Sequence, residues 1–271
     1  MTWIKICGIT NLDDALAAMD AGANALGFVL YPKSPRHVTV ETAQSIIAKV
    51  PQPIEKVGVF VNETVDQVRD AVIQAGLTAV QLHGDESVDF SRALFQALGN
   101  GSGRPTIFRP TIFRTWPAKV FDVPAGQSVG WDPVEVGLVE KDDAYKGKRV
   151  HKIHVAKNGD LFLETHGFRP GVISGVLLDS STAEKRGGTG EKFDWERVQP
   201  WAGIINSISK LIVAGGLHPG NVQEAIHLLH PWGVDVSSGV ESEPGKKDHR
   251  KVRAFVKAVR AMEQTEQEEA N

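Results

Sequence analysis

Cys7 is the only cysteine in the chain, and it closes the first apolar run, WIKIC, directly before Gly8. A free cysteine packs readily as a small hydrophobe. At a strand end, however, a thiol can face open space and take up a proton, provided its pKa falls from about 8.5 towards neutrality. Asp179 closes another apolar run, Gly175-Val176-Leu177-Leu178. An acid there is costly to bury without a purpose; its plainer use is to cap the next segment. Arg36 lies in the loop YPKSPRHV, which Pro32 and Pro35 stiffen. A planar guanidinium on a stiff loop suits a carboxylate, and the alternative is a surface charge. His83 follows the run AVQL and is read either as a site residue or as a structural imidazole. Lys5 and Gln81 are candidate inward-pointing polar residues.

Gly215-Gly216 and Ser237-Ser238-Gly239 end two further apolar runs. Backbone N–H groups exposed at such places, aimed with a helix N-terminus, bind anions such as phosphate. Glycine also serves ordinary turns. GGTG at Gly187–Gly190 reads as a mobile loop, not as a dinucleotide fingerprint, and no Walker sequence is present. The histidines lack metal-ligand spacing, so no metal is expected.

These groups need a scaffold that gathers strand ends. The first hundred residues alternate apolar runs with amphipathic stretches: WIKIC before NLDDALAAMDAG, ALGFVLY before VETAQSIIAKV, KVGVFV before TVDQVRDAVIQAG, and AVQLHG before ESVDFSRALFQALG. Asn11 or Thr10, and then Thr39, read as N-caps; Gly22, Gly76 and Gly99 read as stops. The pattern resumes with GVLLDS, LIVAGGL and GVDVSSGV, the last preceding DHRKVRAFVKAVRAM. Near-continuous apolar strands separated by amphipathic helices imply a parallel sheet covered by helices. Seven strands are clear and an eighth is expected between Gly99 and Ser174, which gives an α/β fold, a (β/α)8 TIM barrel in one domain. In that fold the catalytic groups sit at the C-terminal strand ends, where the candidates above fall, and phosphate binds after the last two strands.

The middle of the chain departs from the pattern. RPTIF occurs twice in tandem, at Arg104–Phe108 and Arg109–Phe113. One copy continuing into RTW is a candidate fifth strand, and AKVFDV is the alternative. No good helix follows. Instead two alternating runs flank Asn158-Gly159, a dipeptide suited to a type I′ turn, which predicts a β-hairpin. Residues from about 116 to 170 are therefore read as an insertion in the fifth βα unit, serving an interface, a lid or neither. Residues 263–271 read as a solvated acidic tail.

The formal net charge of −3 offers no global basic field for nucleic acid or an anionic membrane. One cysteine forms no internal disulfide, which suits a reducing compartment. No run reaches the ~18–20 apolar residues of a membrane helix, and the N-terminus lacks the features of a signal peptide. A cytoplasmic protein is expected. The basic run Lys246, Lys247, His249, Arg250, Lys251 and Arg253 could attract an anion, and is read first as the wet face of a last helix.

KICGIT, GFVLYPKSPRHV, VQLHGDE, LLDSS…GGTGEKFDW, LIVAGGLHPGNV and GVDVSSGVE, in this order, resemble the phosphoribosylanthranilate isomerases of tryptophan biosynthesis. The likeness spans Lys5 to about Gly99 and Ser174 to about Met262, and fails between Gly101 and Ile173. It implies an Amadori rearrangement of a phosphoribosyl amine to an aminoketose. Cys7 would be the general base and Asp179 the general acid. Arg36 would hold the anthranilate carboxylate, and Gly215, Gly216, Ser238 and Gly239 the phosphate. His83 and Asp235 would complete the substrate site, the latter without a defined role. No cofactor is implied, because only protons move. The partner is a small phosphosugar, with no nucleic acid or membrane, and the protein is a monomer or homodimer. The related histidine-pathway phosphoribosyl isomerase is the rival enzyme, and would be expected to carry aspartate in place of Cys7. A non-catalytic phosphate-binding barrel acting as an interaction module is the rival of another class.

Overall fold

The computed structural model describes residues 1–51, 53–99, 111–117, 138–139, 149–155, 161–167, 175–179, 194–208 and 210–269. Its strands in chain order are β1 (Trp3–Cys7), β2 (Ala25–Val29), β3 (Glu55–Phe60), β4 (Ala79–Leu82), β5 (Thr111–Pro117), β6 (Leu138–Val139), β7 (Arg149–Val155), β8 (Leu161–Gly167), β9 (Gly175–Asp179), β10 (Lys210–Val213), β11 (Gly233–Val236), β12 (Glu241–Glu243) and β13 (Lys246–Lys247). Eight of them close a barrel in the order β1-β11-β10-β9-β5-β4-β3-β2. Every neighbouring pair in it runs parallel, and β1 pairs with both β2 and β11.

The helices are α1 (Leu12–Asp20), α2 (Val40–Ile47), α3 (Val65–Ala75), α4 (Val88–Gly99), α5 (Trp195–Ile208), α6 (Val222–Leu229) and α7 (His249–Glu269). Their starts follow local chemistry. The side chains of Asn11, Thr39 and Thr64 each accept a backbone N–H of the first turn, and Thr64 with Gln67 forms a capping box. Gly76 ends α3 in the left-handed conformation at φ 72°.

Alternation along the strands divides two cores. Ile4, Ile6, Leu26, Phe28, Val80, Leu82, Val176 and Leu178 face outward and pack with the helices. Trp3, Ala25, Val57, Ala79, Leu177, Ile212 and Ala214 fill the barrel interior. Counting by twos from this inner set leads along β1 through Lys5 to Cys7, along β4 to Gln81 and His83, along β9 to Asp179, and from Gly233 along β11 to Asp235. The polar candidates thus stand above an apolar plug, on the same wall.

The fifth strand comes from the second RPTIF copy continuing into RTWP; it lies between β4 and β9. The first copy and AKVFDV lie outside the described residues. β7 and β8 pair antiparallel from Arg149↔Gly167 to Val155↔Leu161, with β6 beside β7. The Asn158-Gly159 dipeptide lies outside the described residues, as does GGTG. At the C-terminus, α7 runs to Glu269, so residues 263–269 are helical where a solvated tail was expected. Glu and Gln are good helix formers, and Arg260 ties the end of the barrel to α7 by donating to the Thr2 carbonyl (2.7 Å) and Glu263 (2.9 Å). Among the described residues, no helix is long and apolar enough to cross a membrane.

Candidate active site

The C-terminal strand ends open into a cavity of about 510 Å³. Cys7, Arg36, His83, Asp179, Gly215, Gly216, Asp235 and Ser238 all line it, as does Gln81. Gly239 is not among the lining residues; it follows Ser238 in the 3-10 turn Ser238–Val240. A Cβ on Gly239 would run into the Leu217 carbonyl oxygen, so its role is to let two strand-end loops approach each other.

Cys7 is 7% exposed. Its register partner on β2 is Gly27, and a Cβ there would lie 2.7 Å from Cys7 Sγ and 2.9 Å from Lys5 Cε. The sulfur and the end of the lysine chain therefore rest side by side on a bare backbone. Lys5 Nζ donates to Asp235 Oδ2 at 2.8 Å and to Gln81 Oε1 at 2.6 Å. Burial lowers the Lys5 ammonium's proton affinity, but the Asp235 carboxylate and then Cys7 outweigh it, and its pKa ends above the ordinary value. Burial pushes the Cys7 thiol up, against the Lys5 charge; Asp235 adds to the rise and Lys247 opposes it. The thiol thus titrates above its ordinary value, whereas the sequence reading required a fall. The cause is tertiary: in the free protein desolvation exceeds the two cations.

Across the cavity floor, Gln81 Nε2 lies 3.1 Å from His83 Nδ1, and His83 Nε2 lies 3.9 Å from Asp179 Oδ2. Asp179, 8% exposed, stands at the last position of β9.

Arg36 meets a partner the sequence did not reveal. Its Nε and Nη2 donate to Glu241 Oε1 (2.9 Å) and Oε2 (2.7 Å) in a two-pronged pair. Lys247 Nζ, fully buried, donates to the same Oε1 at 2.8 Å. Burial pushes the Glu241 carboxyl up, but the Arg36 hydrogen bonds and the Lys247 charge hold it below the usual carboxylate range. Burial takes the Lys247 ammonium below its usual value in spite of Glu241. Arg36 is therefore a fixed group, with Nη1 as the nitrogen Glu241 does not engage. Lys247 was read as part of a wet helix face; it sits on β13 instead and is buried. Glu241 ends the GVDVSSGVE run, and a half-buried arginine's need for a counter-charge was the only signal for it.

On the opposite rim, Gly215 and Gly216 have φ of 76° and 66°, a consecutive left-handed pair that glycine adopts without strain. Among the described residues, none accepts a hydrogen bond from either N–H. Asn221 pins the loop: its Nδ2 donates to the Gly216 carbonyl (2.9 Å), and its Oδ1 accepts the His218 N–H (2.8 Å). Ser237 Oγ donates to the Cys7 carbonyl at 3.1 Å and locks the eighth barrel strand's loop to the first. Unpaired N–H groups at the end of the seventh barrel strand are suited to an anion. Among the described residues, no group of three or more His, Cys, Asp or Glu side chains could hold a metal ion.

A closed parallel barrel with a thiol, a carboxyl group and a guanidinium at its strand ends, beside a glycine cradle, defines a β/α-barrel enzyme. The model of the N-(5′-phosphoribosyl)anthranilate isomerase family matches residues 4–100 and 139–258. The chain therefore belongs to that family. It is similar to the N-(5′-phosphoribosyl)anthranilate isomerase of Thermotoga neapolitana, with 37% identity over 97% of this chain and 100% of that one. The crystal structure of the Thermotoga maritima phosphoribosylanthranilate isomerase is 30% identical, with a TM-score of 0.68 over 96% of this chain and 100% of that one. A phosphoribosylanthranilate isomerase in complex with reduced 1-(o-carboxyphenylamino)-1-deoxyribulose 5-phosphate is 29% identical, with a TM-score of 0.64 over the same shares.

Proposed function

We propose that this chain converts N-(5′-phosphoribosyl)anthranilate into 1-(2-carboxyphenylamino)-1-deoxyribulose 5-phosphate, an isomerase step of tryptophan biosynthesis. The observation that carries this reading is the convergence of Cys7 and Asp179 on one cavity that also holds Arg36 and the open Gly215-Gly216 N–H groups. Asp179 protonates the furanose ring oxygen and opens the ring to an iminium ion. Cys7 then removes the C2′ proton, and the resulting enolamine tautomerises to the ketose. A positioned acid or base contributes about 10²–10⁴-fold.

The raised thiol fits this sequence of events. Burial raises the thiol, with Lys5 and Lys247 working against it, and the thiolate fraction of Cys7 is the base. The iminium adds a positive charge beside the sulfur at the moment the base is needed, and it acidifies the C2′ proton as well. Arg36 holds the anthranilate carboxylate, with Glu241 fixing its orientation. Gly215, Gly216 and Ser238 hold the phosphate through backbone N–H groups, and Gly239 allows the turn that brings Ser238 into place. The β7–β8 pair is an insertion in the fifth βα unit that takes no part in proton transfer. The enzyme works in the cytoplasm as a monomer or homodimer, and the Thermotoga maritima relative is described as dimeric.

The test is the loss of anthranilate fluorescence when the purified protein meets phosphoribosylanthranilate. Cys7→Ala and Asp179→Asn should each lower kcat by at least about 100-fold with KM changed only a few-fold. Parental kcat in Cys7→Ala would remove sulfur from the reaction.

A further inference from the structure

Beneath the cavity, one ammonium group touches the machinery on both sides. Lys5 side-chain atoms are 1% exposed, and the nitrogen is held between Asp235 and Gln81. An ammonium only donates hydrogen bonds, so the Gln81 atom facing it is Oε1. That fixes the amide: its Nε2, also a donor only, faces His83 Nδ1 at 3.1 Å. Nδ1 must then be the acceptor, which leaves the proton of the neutral ring on Nε2. Nε2 is the ring nitrogen that faces Asp179 Oδ2 at 3.9 Å. On the other side, Lys5 Cε and Cys7 Sγ share the bare surface of Gly27.

We propose that Lys5 is a positioning residue for both proton-transfer groups: its ammonium faces the Cys7 sulfur and, through Gln81, it sets the His83 ring with Nε2–H towards Asp179. This rests on reading Cys7 and Asp179 as base and acid. The need for such a link is chemical. In turnover Asp179 gives up a proton and becomes anionic while the Cys7 thiolate becomes neutral. A fixed cation beside sulfur stabilises the state before transfer, and a ring N–H aimed at the carboxylate stabilises the state after it. Among the described residues, the charged groups around Cys7 are Lys5 on its own strand, Asp235 on β11, Lys247 on β13 and Arg36 in the loop after β2. Of these, Lys5 alone also reaches the Asp179 side, through Gln81 and His83. Burial and the Lys5 charge act in opposite directions on the thiol, and this agrees with the assignment without carrying it.

The experiment uses the full chain and needs no substrate. Cys7 is the only cysteine, so iodoacetamide reports on it alone. In Lys5→Met the alkylation rate at about pH 7 should fall tenfold or more, and its pH profile should move up by about one unit or more, a tenfold loss of thiolate per unit. The ¹⁵N signals of the His83 ring, assigned by difference from His83→Asn, should report the Nε2–H form in the parent and a mixture of tautomers in Lys5→Met. Gln81→Leu should lose the tautomer bias while leaving the alkylation profile near the parent's. An unchanged profile and an unchanged His83 signature in folded Lys5→Met would overturn the proposal. Should Lys5→Met fail to fold because Asp235 is left with an unpaired buried charge, Lys5→Met/Asp235→Asn removes both charges and takes the same two readouts. Absence of isomerase turnover in the parent would sink the functional reading and leave these readouts meaningful. Turnover in the parent with no shift in either readout would sink this inference alone.

Discussion

Gly27→Ala places one methyl group at the point where β2 passes the reacting sulfur. Gly27 has no left-handed torsion, so alanine suits its backbone, and the effect is purely one of space. The added carbon would lie 2.7 Å from Cys7 Sγ, 2.9 Å from Lys5 Cε and 3.0 Å from Cys7 Cα. Ordinary contacts between such atoms are about 3.5–4.0 Å, so the sulfur must retreat by roughly 1 Å. The lysine chain can bend aside, but the Cys7 backbone is held by its pairing with Gly27 on β2 and by the Ser237 hydroxyl on its carbonyl. Misplacement of about 1 Å at a reacting group costs about 10²-fold in rate, or roughly 2.7 kcal/mol of barrier. Overpacking itself costs about 1–3 kcal/mol of stability, which lowers Tm by several degrees in a domain of this size. The expected result is therefore kcat down about 100-fold, KM within a few-fold because Arg36 and the glycine cradle are untouched, and a cooperative thermal transition a little below the parent's. Fluorescence progress curves and circular dichroism measure these quantities. A folded Gly27→Ala enzyme with kcat within about threefold of the parent would mean that the sulfur is not where the C2′ proton leaves.

Arg36 and Glu241 should separate by magnitude. Arg36→Ala removes the group that would meet the anthranilate carboxylate, so KM should rise about 10- to 100-fold with kcat little changed. Glu241→Gln keeps the guanidinium but loosens its orientation, so KM should rise less; an equal or larger rise would mean that Glu241 itself governs binding. Acid should weaken the fold through the same pair. The Glu241 carboxyl lies below its unfolded reference of 4.5, so its stabilising contribution is complete above that value and is lost as pH falls through the lower folded value. Thermal midpoints measured from about pH 6 down to about pH 3 should therefore fall in the parent and fall less steeply in Glu241→Gln. The thiol gives a slope of the same sign in catalysis, in a higher pH range. Because burial raises it, kcat/KM should climb with pH through neutrality, by up to about tenfold per unit, until Cys7 ionises in the free enzyme. A flat profile through that range would argue that a different group is the base.

The strands were legible because both of their faces are buried. GVLLD and AVQL are read as strands from composition alone, and the caps at Asn11, Thr39 and Gly76 are local chemistry that needs no tertiary partner. The fifth strand was ambiguous for a reason internal to the sequence: two tandem copies of RPTIF carry the same pattern, and only pairing with β4 and β9 selects the second. Charge partnership was the least legible property. Arg36 and Glu241 are 205 positions apart, and nothing local announces their meeting. Lys247 was placed on a helix face because KKDHRKVR reads as one basic run, yet a two-residue strand turns it inward before α7 begins. The direction of the Cys7 pKa was illegible for the same reason, since burial is a property of the assembled barrel.

The inner wall shows what the sequence did carry, in a form that composition does not expose. Trp3, Lys5 and Cys7 alternate along one strand, and so do Ala79, Gln81 and His83 along another. In a barrel strand this period of two means that all six share the inside. A lysine on the outer face of β1 would have to lie among Ile4, Ile6 and the helices, where its charge would have no partner, and such burial costs several kcal/mol. Once Trp3 is assigned to the plug, Lys5 must point inward, and its charge then requires an anion at the same height on a neighbouring strand. The register supplies it, because Lys5 and Asp235 are direct partners across β1 and β11. The polar floor is therefore a consequence of parity and register together. The parity is written in the sequence, and the register is fixed only when β11 closes on β1.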